Sequence, residues 1–195
     1  MNSTTRAIAA EAARLIADGG LEYGQAKSKA ARALGARRAE MPSNEEVEDA
    51  LREHLLLFCG DTQPAELRAL REVAAQWMAR LATWRPHLAG AVWRGTATRH
   101  SAVHIDLYCD DPKSAPIELL NRGIAHDLDS VEGNDEPVQV LTLTVPAAAL
   151  GEPVTVHLYV RDADDLRGAL RPDSRGRSWR GDLGALRQRL QEDAP

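Results

Sequence analysis

The chain has 195 residues, of which 44% are apolar and 27% charged, and a formal net charge of −5 at pH 7. That apolar share is enough for an ordinary buried core and excludes a wholly disordered chain. The acidic balance excludes a protein coated in basic residues but leaves room for a local basic groove.

One Phe, three Tyr and four Trp leave the core to aliphatic side chains, and the wealth of Ala, Leu and Arg favours helices. A first helix is predicted from about Thr5 to Ala17, where Ile8, Ala12, Leu15 and Ile16 recur at helical spacing before the stop at Gly19-Gly20. Arg6, Glu11, Arg14 and Asp18 interrupt this segment, so it lacks the continuous apolar run of a membrane span or secretory leader; the expected location is the cytoplasm. A second helix is predicted from Tyr23 to Leu34, ending at Gly35. The third opens on Ser43-Asn44-Glu45-Glu46, where Ser43 and Glu46 have the spacing of a capping box, and carries Val47, Ala50, Leu51, His54, Leu55 and Phe58 on one stripe. Thr62 and Pro64 open a fourth, which continues through Leu67, Leu70, Val73, Trp77 and Leu81 as far as Pro86.

After Pro86 the pattern changes. Leu88 to Trp93, Val103 to Tyr108, Val138 to Val145 and Val154 to Val160 read as strands, and Ser114 to Asn121 as a helix between them. Asp127 to Pro137, including Glu132-Gly133-Asn134-Asp135-Glu136, reads as a polar turn. Beyond Asp162 the chain is Arg-rich, with a last helix from about Leu183 to Leu190. The expected fold is therefore α+β: a helical region over 1–85, a small mixed or antiparallel sheet with packed helices over 86–162, and a basic extension over 163–195. Cys59 and Cys109 supply neither a disulfide framework nor a CxxC metal pair, and both are expected to be reduced and mostly buried.

The richest segment runs from Gly90 through Gly95-Thr96, Arg99, His100 and Ser101 to His104-Ile105-Asp106 and Tyr108. In its second strand the period-two rule puts His104, Asp106 and Tyr108 on one face and Val103, Ile105 and Leu107 on the other. The same rule groups Thr155, His157 and Tyr159 opposite Val154, Val156 and Leu158. If the two strands are neighbours, Asp106, His104 and His157 converge on one polar face.

This order of features resembles the polymerase-β-type nucleotidyltransferase superfamily. Its pattern is a strand, Gly-Ser at a helix N-terminus, a downstream Ser, an Asp-h-Asp strand (h, hydrophobic) and a third carboxylate on a later strand. Here Gly95-Thr96 stands for Gly-Ser, Ser101 for the downstream Ser and His104-Ile105-Asp106 for Asp-h-Asp, while His157 falls where the third acid is expected. The Gly-Thr-Ala-x-Arg-His-Ser turn and the helical region before it also resemble a set of proteobacterial proteins.

The resemblance implies a nucleotidyltransferase-like core in which Gly95, Thr96, Arg99, His100 and Ser101 hold the phosphates of a nucleotide, using N–H groups at a helix start. It further implies a divalent metal on Asp106, His104 and His157, with Asp106 as the catalytic carboxylate. Two histidines in place of acids imply an altered or lost centre, because Mg²⁺ prefers oxygen ligands whereas a His-Asp-His set suits Zn²⁺ or Mn²⁺.

Each residue also has a plain structural reading: Gly95-Thr96 as an ordinary turn, Asp106 as a solvent-facing strand residue, His104 and His157 as hydrogen-bonded structural histidines. Thr96 directly after Gly95 removes the lysine a phosphate loop needs, and HExxH and GxSxG patterns are lacking. Two basic runs, one with Lys27, Lys29, Arg32, Arg37 and Arg38 and one with Arg171, Arg175, Arg177, Arg180, Arg187 and Arg189 around Trp179, read either as solvated faces or as phosphate-neutralising surfaces. Three functions remain open. They are a nucleotide- or nucleic-acid-binding protein with an altered or lost catalytic centre, an active metal-dependent nucleotidyltransferase acting on a protein, an RNA or a small molecule, and a module whose helical half binds a protein partner. Membrane binding is not expected.

Overall fold

The computed structural model describes residues 2–36, 38–132, 137–173 and 175–192. In chain order its elements are α1 (Ser3–Gly19), α2 (Tyr23–Ala33), α3 (Asn44–Phe58), α4 (Gln63–Arg80), β1 (His87–Ala89), α5 (Gly90–Arg94) and β2 (Val103–Cys109). There follow α6 (Ser114–Asn121), β3 (Asp127–Val131), β4 (Val138–Ala147), β5 (Glu152–Asp162), α7 (Asp165–Ala169), β6 (Arg180–Gly181) and α8 (Leu183–Glu192). Helices fill the N-terminal half and the strands form one mixed sheet, so the protein is α+β. Among the described residues no helix is long and apolar enough to cross a membrane. The chain divides into two compact units, one within residues 1–67 and 96–101, the other within 68–95 and 102–195.

The first unit is held by alanine-rich packing. Ile8, Ala9, Ala12, Ala13 and Ile16 of α1 share a buried cluster with Ala26 and Ala30 of α2 and with Val47, Leu51 and Leu55 of α3. Small side chains let helix axes approach closely. The helix ends are set by local chemistry: Asn2 accepts the Thr5 N–H at 2.8 Å, and Ser43 and Glu46 form the reciprocal capping box. Gly20 closes α1 with φ +62°, where a side chain would run into the backbone carbonyl of His100.

The second unit is built on a six-stranded sheet in the order β3-β4-β5-β2-β1-β6. Strands β2 and β5 pair in parallel at its centre, and the remaining pairs are antiparallel. One face is apolar: Val103, Ile105, Leu107, Leu141, Leu143, Val156 and Leu158 are all buried. Helices are tied to one another by side chains on backbone carbonyls, with Arg71 of α4 donating to Val92 of α5 and Arg68 of α4 donating to Leu190 of α8. Trp84 Nε1 donates to Ser114 Oγ at 2.9 Å, fixing the start of α6.

Three local expectations are corrected. Leu88 to Trp93 is not one strand: β1 stops at Ala89 because Gly90 takes φ +66°, and the next five residues close a single helical turn. Asp127 to Val131 is not a turn but the edge strand β3, exposed along its whole length, so its polar composition carries no apolar alternation. Residues 133–136 of that expected turn lie outside the described residues. The third correction concerns Gly95 and belongs with the site below. The segment after Asp162 also contributes a strand, β6, to the sheet.

Both cysteines are free thiols, Cys109 buried and Cys59 half-buried. Burial pushes the Cys109 thiol from its ordinary value near 9 up to about 11. The folded state therefore favours the protonated thiol. Its contribution to stability is complete below the unfolded value and is lost as pH rises through the folded one. We expect the melting temperature to fall as pH is raised from about 8 to about 11, and Cys109→Ala to remove part of that fall; thermal unfolding at the two pH values checks it.

Candidate functional site

The register of the central strands sets His104 opposite His157, Asp106 opposite Tyr159 and Tyr108 opposite Arg161. Alternation then sends all six to one face. The antiparallel neighbours add His87 from β1 and Thr142 from β4 to the same face. This is the polar side of the sheet, the reverse of the apolar core.

Two imidazoles meet there. The rings of His104 and His157 lie 5.3 Å apart between centroids, and the Tyr159 ring is 5.7 Å from that of His104 in a stacked orientation. His104 Nδ1 is hydrogen-bonded to the Tyr159 hydroxyl at 2.9 Å, and His157 Nδ1 to Thr142 Oγ1 at 3.0 Å. All three rings are half-buried. Gly90 leaves the His104 ring room, since a Cβ at that position would sit 3.3 Å from His104 Cδ2.

Beside this row, Asp106 is only 2% exposed and faces two guanidinium groups. Arg161 Nε donates to Oδ1 at 2.6 Å, and Arg180 Nε lies 3.2 Å from Oδ2. The second contact is an ion pair whose N–H points off the carboxylate, because neither atom completes a hydrogen bond there. Arg180 Nη1 donates instead to the Tyr108 hydroxyl at 3.1 Å. Burial alone would lower the Arg161 guanidinium, but the adjacent Asp106 carboxylate more than offsets it and holds the value above the ordinary one. Burial, helped by the Asp106 charge, pushes the Tyr108 phenol up, so it stays neutral well past neutral pH. Two arginines share one carboxylate and leave local positive charge in excess, with Asp165 acting on Arg161 through the field.

The expected metal set is thus split: His104 and His157 come together, whereas both oxygens of Asp106 are turned to cations. Among the described residues no group of three or more His, Cys, Asp or Glu side chains is arranged to hold a metal ion. The donor set does not fit a divalent cation, since Asp106 Oδ1 is bonded to Arg161 and the Arg180 guanidinium, 3.2 Å from Oδ2, places a second positive charge against the one carboxylate of the set.

The expected phosphate residues fall differently. Gly95 ends α5 in the left-handed conformation, φ +80°, with its N–H on Ala91, so a helix precedes the Gly-Thr turn and none follows it. This is the third correction: the N–H groups of a helix start, on which the expected cradle depended, are not formed there. Thr96 to Ser101 belong to the first unit. Within it, Thr98 Oγ1 donates to the Ala17 carbonyl at 3.1 Å, Ser101 Oγ accepts the Thr98 N–H at 3.0 Å, and the Arg99 N–H donates to Glu66. Thr96 Oγ1 is buried without a hydrogen-bond partner, while the side chains of Arg99 and His100 are exposed.

Sequence reading missed Arg161 and did not pair Arg180 with Asp106. The signal for Arg161 was present, because it continues the alternation Thr155, His157, Tyr159 by one further step. Arg180 reaches Asp106 through β6, whose two residues pair with Leu88 and Ala89. No protein-family model matches the chain, and no curated protein is similar to it in sequence.

Proposed function

We propose that the protein binds a nucleotide or nucleic acid on the polar face of its sheet, in a nucleotidyltransferase-like fold whose transfer centre is altered or lost. The observation that carries this reading is the juxtaposition of the His104, His157 and Tyr159 rings with Arg161 and Arg180 on that one face. Rings of this kind stack on a base, at about 1–3 kcal/mol per base in single-strand binding sites, while guanidinium groups take the phosphate. Support for altered chemistry comes from Asp106, whose two arginine partners occupy the directions from which a metal would approach. The proposed setting is the cytoplasm.

The test is thermal unfolding with a panel of nucleoside mono- and triphosphates at low salt, with and without divalent cations. A ligand at a hundred times its dissociation constant stabilises the fold by about 2.7 kcal/mol. We expect a nucleotide-dependent upshift that survives chelation and shrinks in Tyr159→Ala. No shift with any nucleotide contradicts the reading.

A second reading, a protein-docking module in the helical half, is favoured by one observation. Leu56, Leu57 and Phe58 at the end of α3 are 79%, 67% and 74% exposed, a contiguous apolar run on the surface. On that reading a double substitution of Leu57 and Phe58 by Ser abolishes capture of a partner and leaves nucleotide binding intact.

A further inference from the structure

We infer that Asp106 is a positioning residue that holds Arg161 and Arg180 side by side as a metal-independent receptor for a phosphate group. This deepens the nucleotide reading above and rests on it only for the identity of what carries the phosphate.

The geometry is that of a buried carboxylate hydrogen-bonded to the Nε of one arginine and ion-paired with a second. Arg161 turns its Nε to Asp106, and its two terminal nitrogens make no hydrogen bond within the described residues. Neither is among the buried polar atoms, so both reach solvent. Arg180 has Nε in the ion pair and Nη1 on the Tyr108 hydroxyl, and its Nη2 makes no hydrogen bond within the described residues and is not among the buried unpartnered atoms. The side chains are 29% and 21% exposed, against 3% for the carboxylate between them. A planar fork with its stem fixed loses little rotational freedom on binding, and a phosphate oxygen pair matches its two parallel N–H bonds.

Charge and chemistry point to the same ligand. Two guanidiniums face one carboxylate at contact distance, with Asp165 acting on Arg161 only through the field, so the exposed ends of the two arginines favour an anion. A divalent cation would have to displace both arginines from Asp106 and lie against their charge. The Tyr108 hydroxyl, fully buried, accepts from Arg180 Nη1 and helps fix that guanidinium in place. The nearby rings of Tyr159 and His104 then provide a surface for whatever is attached to the phosphate. Arg161 lies 5.8 Å from the Tyr159 ring centroid, so phosphate site and stacking surface are continuous.

The experiment uses the full chain with chelator present and inorganic phosphate as the probe, following the Nε–H signals of Arg161 and Arg180 by NMR. The Arg161 Nε–H is bonded to Asp106 and the Arg180 Nε is buried, which favours their observation. Phosphate is expected to shift both signals along one saturable isotherm, and added Mg²⁺ is expected to leave the affinity unchanged. Arg161→Gln and Arg180→Gln are each expected to weaken binding about tenfold, in line with loss of a charge-assisted pair of bonds. Each leaves Asp106 paired with the other arginine, so neither removes the counter-charge that a folded chain needs. Asp106→Asn is expected to weaken phosphate although it adds net positive charge, and Arg161→Lys not to restore the loss in Arg161→Gln. Unmoved arginine signals, a requirement for Mg²⁺, or tighter phosphate binding in Asp106→Asn would each overturn the inference. A nucleoside monophosphate run in parallel separates the two claims. If phosphate binds and the nucleotide is no tighter, the receptor stands and the nucleotide reading fails. If the nucleotide binds while the arginine signals stay still, the reverse holds.

Discussion

Gly181→Val is expected to detach strand β6 from the sheet, lowering the melting temperature by about 5–10 °C and weakening phosphate binding at the same time. A Cβ on Gly181 would run into the six-membered ring of Trp93. That ring has no easy retreat: it is 3% exposed, its Nε1 donates to the Ser178 carbonyl at 3.0 Å, and the Arg189 guanidinium lies 3.9 Å from its centroid on one face. Overpacking of a filled site costs about 1–3 kcal/mol, and in a chain of this length each kcal/mol corresponds to about 2–4 °C. The strain is relieved most simply by moving β6, which pairs with β1 only through Gly181 and Arg180. Moving β6 takes Arg180 away from Asp106, which is why stability and binding fall together. Trp93→Leu combined with Gly181→Val should recover part of the loss, a coupling that differential calorimetry on the two single variants and the double variant measures directly.

Asp106→Ala is the second large effect. It leaves the Arg161 and Arg180 guanidiniums adjacent with no counter-charge between them. Breaking a buried ion pair by removing one partner destabilises by about 3–5 kcal/mol. The expectation here is about 3 kcal/mol, at the low end of that range, because the arginines retain 29% and 21% of their side-chain exposure and water relieves part of the repulsion. Adding Arg180→Gln to Asp106→Ala should restore stability, since it removes one of the two uncompensated cations. Denaturant unfolding of the two single variants and the double variant reads both numbers. If Asp106→Ala were neutral, the carboxylate would not be what holds the arginines.

The parts of this molecule that were legible in the sequence are those where one local signal decides the outcome. Ser43 and Glu46 announce the start of α3 because both halves of a capping box lie within one turn. The faces of β2 and β5 follow from alternation, and the apolar side chains of one face left His104, Asp106 and His157 nowhere to go but the other. Short apolar runs without that alternation were less readable. Leu88 to Trp93 fits a strand as well as a helical turn, and the conformation of Gly90, a property no pattern prints, settles it. Strand β3 was hidden for the opposite reason. As an exposed edge rich in Asp and Ser it has the composition of a turn and is a strand only because β4 lies beside it.

The site divides in the same way. That His104 and His157 share a face was readable; that Asp106 is claimed by arginines was not. Arg180 arrives on a two-residue strand from the far end of the chain, and no spacing rule relates it to Asp106. The Gly-Thr turn misled for a physical reason as well. Glycine with positive φ serves equally to end a helix and to open a loop toward a ligand, and here Gly95 ends α5.

The most direct test of the central claim follows the ring signals of His104, His157 and Tyr159 by NMR while a nucleoside monophosphate is added with chelator present. The account predicts that these rings and the Arg161 Nε–H shift on one common isotherm. Saturating nucleotide that moves the backbone signals of 96–101 and leaves the sheet side chains unchanged would contradict it.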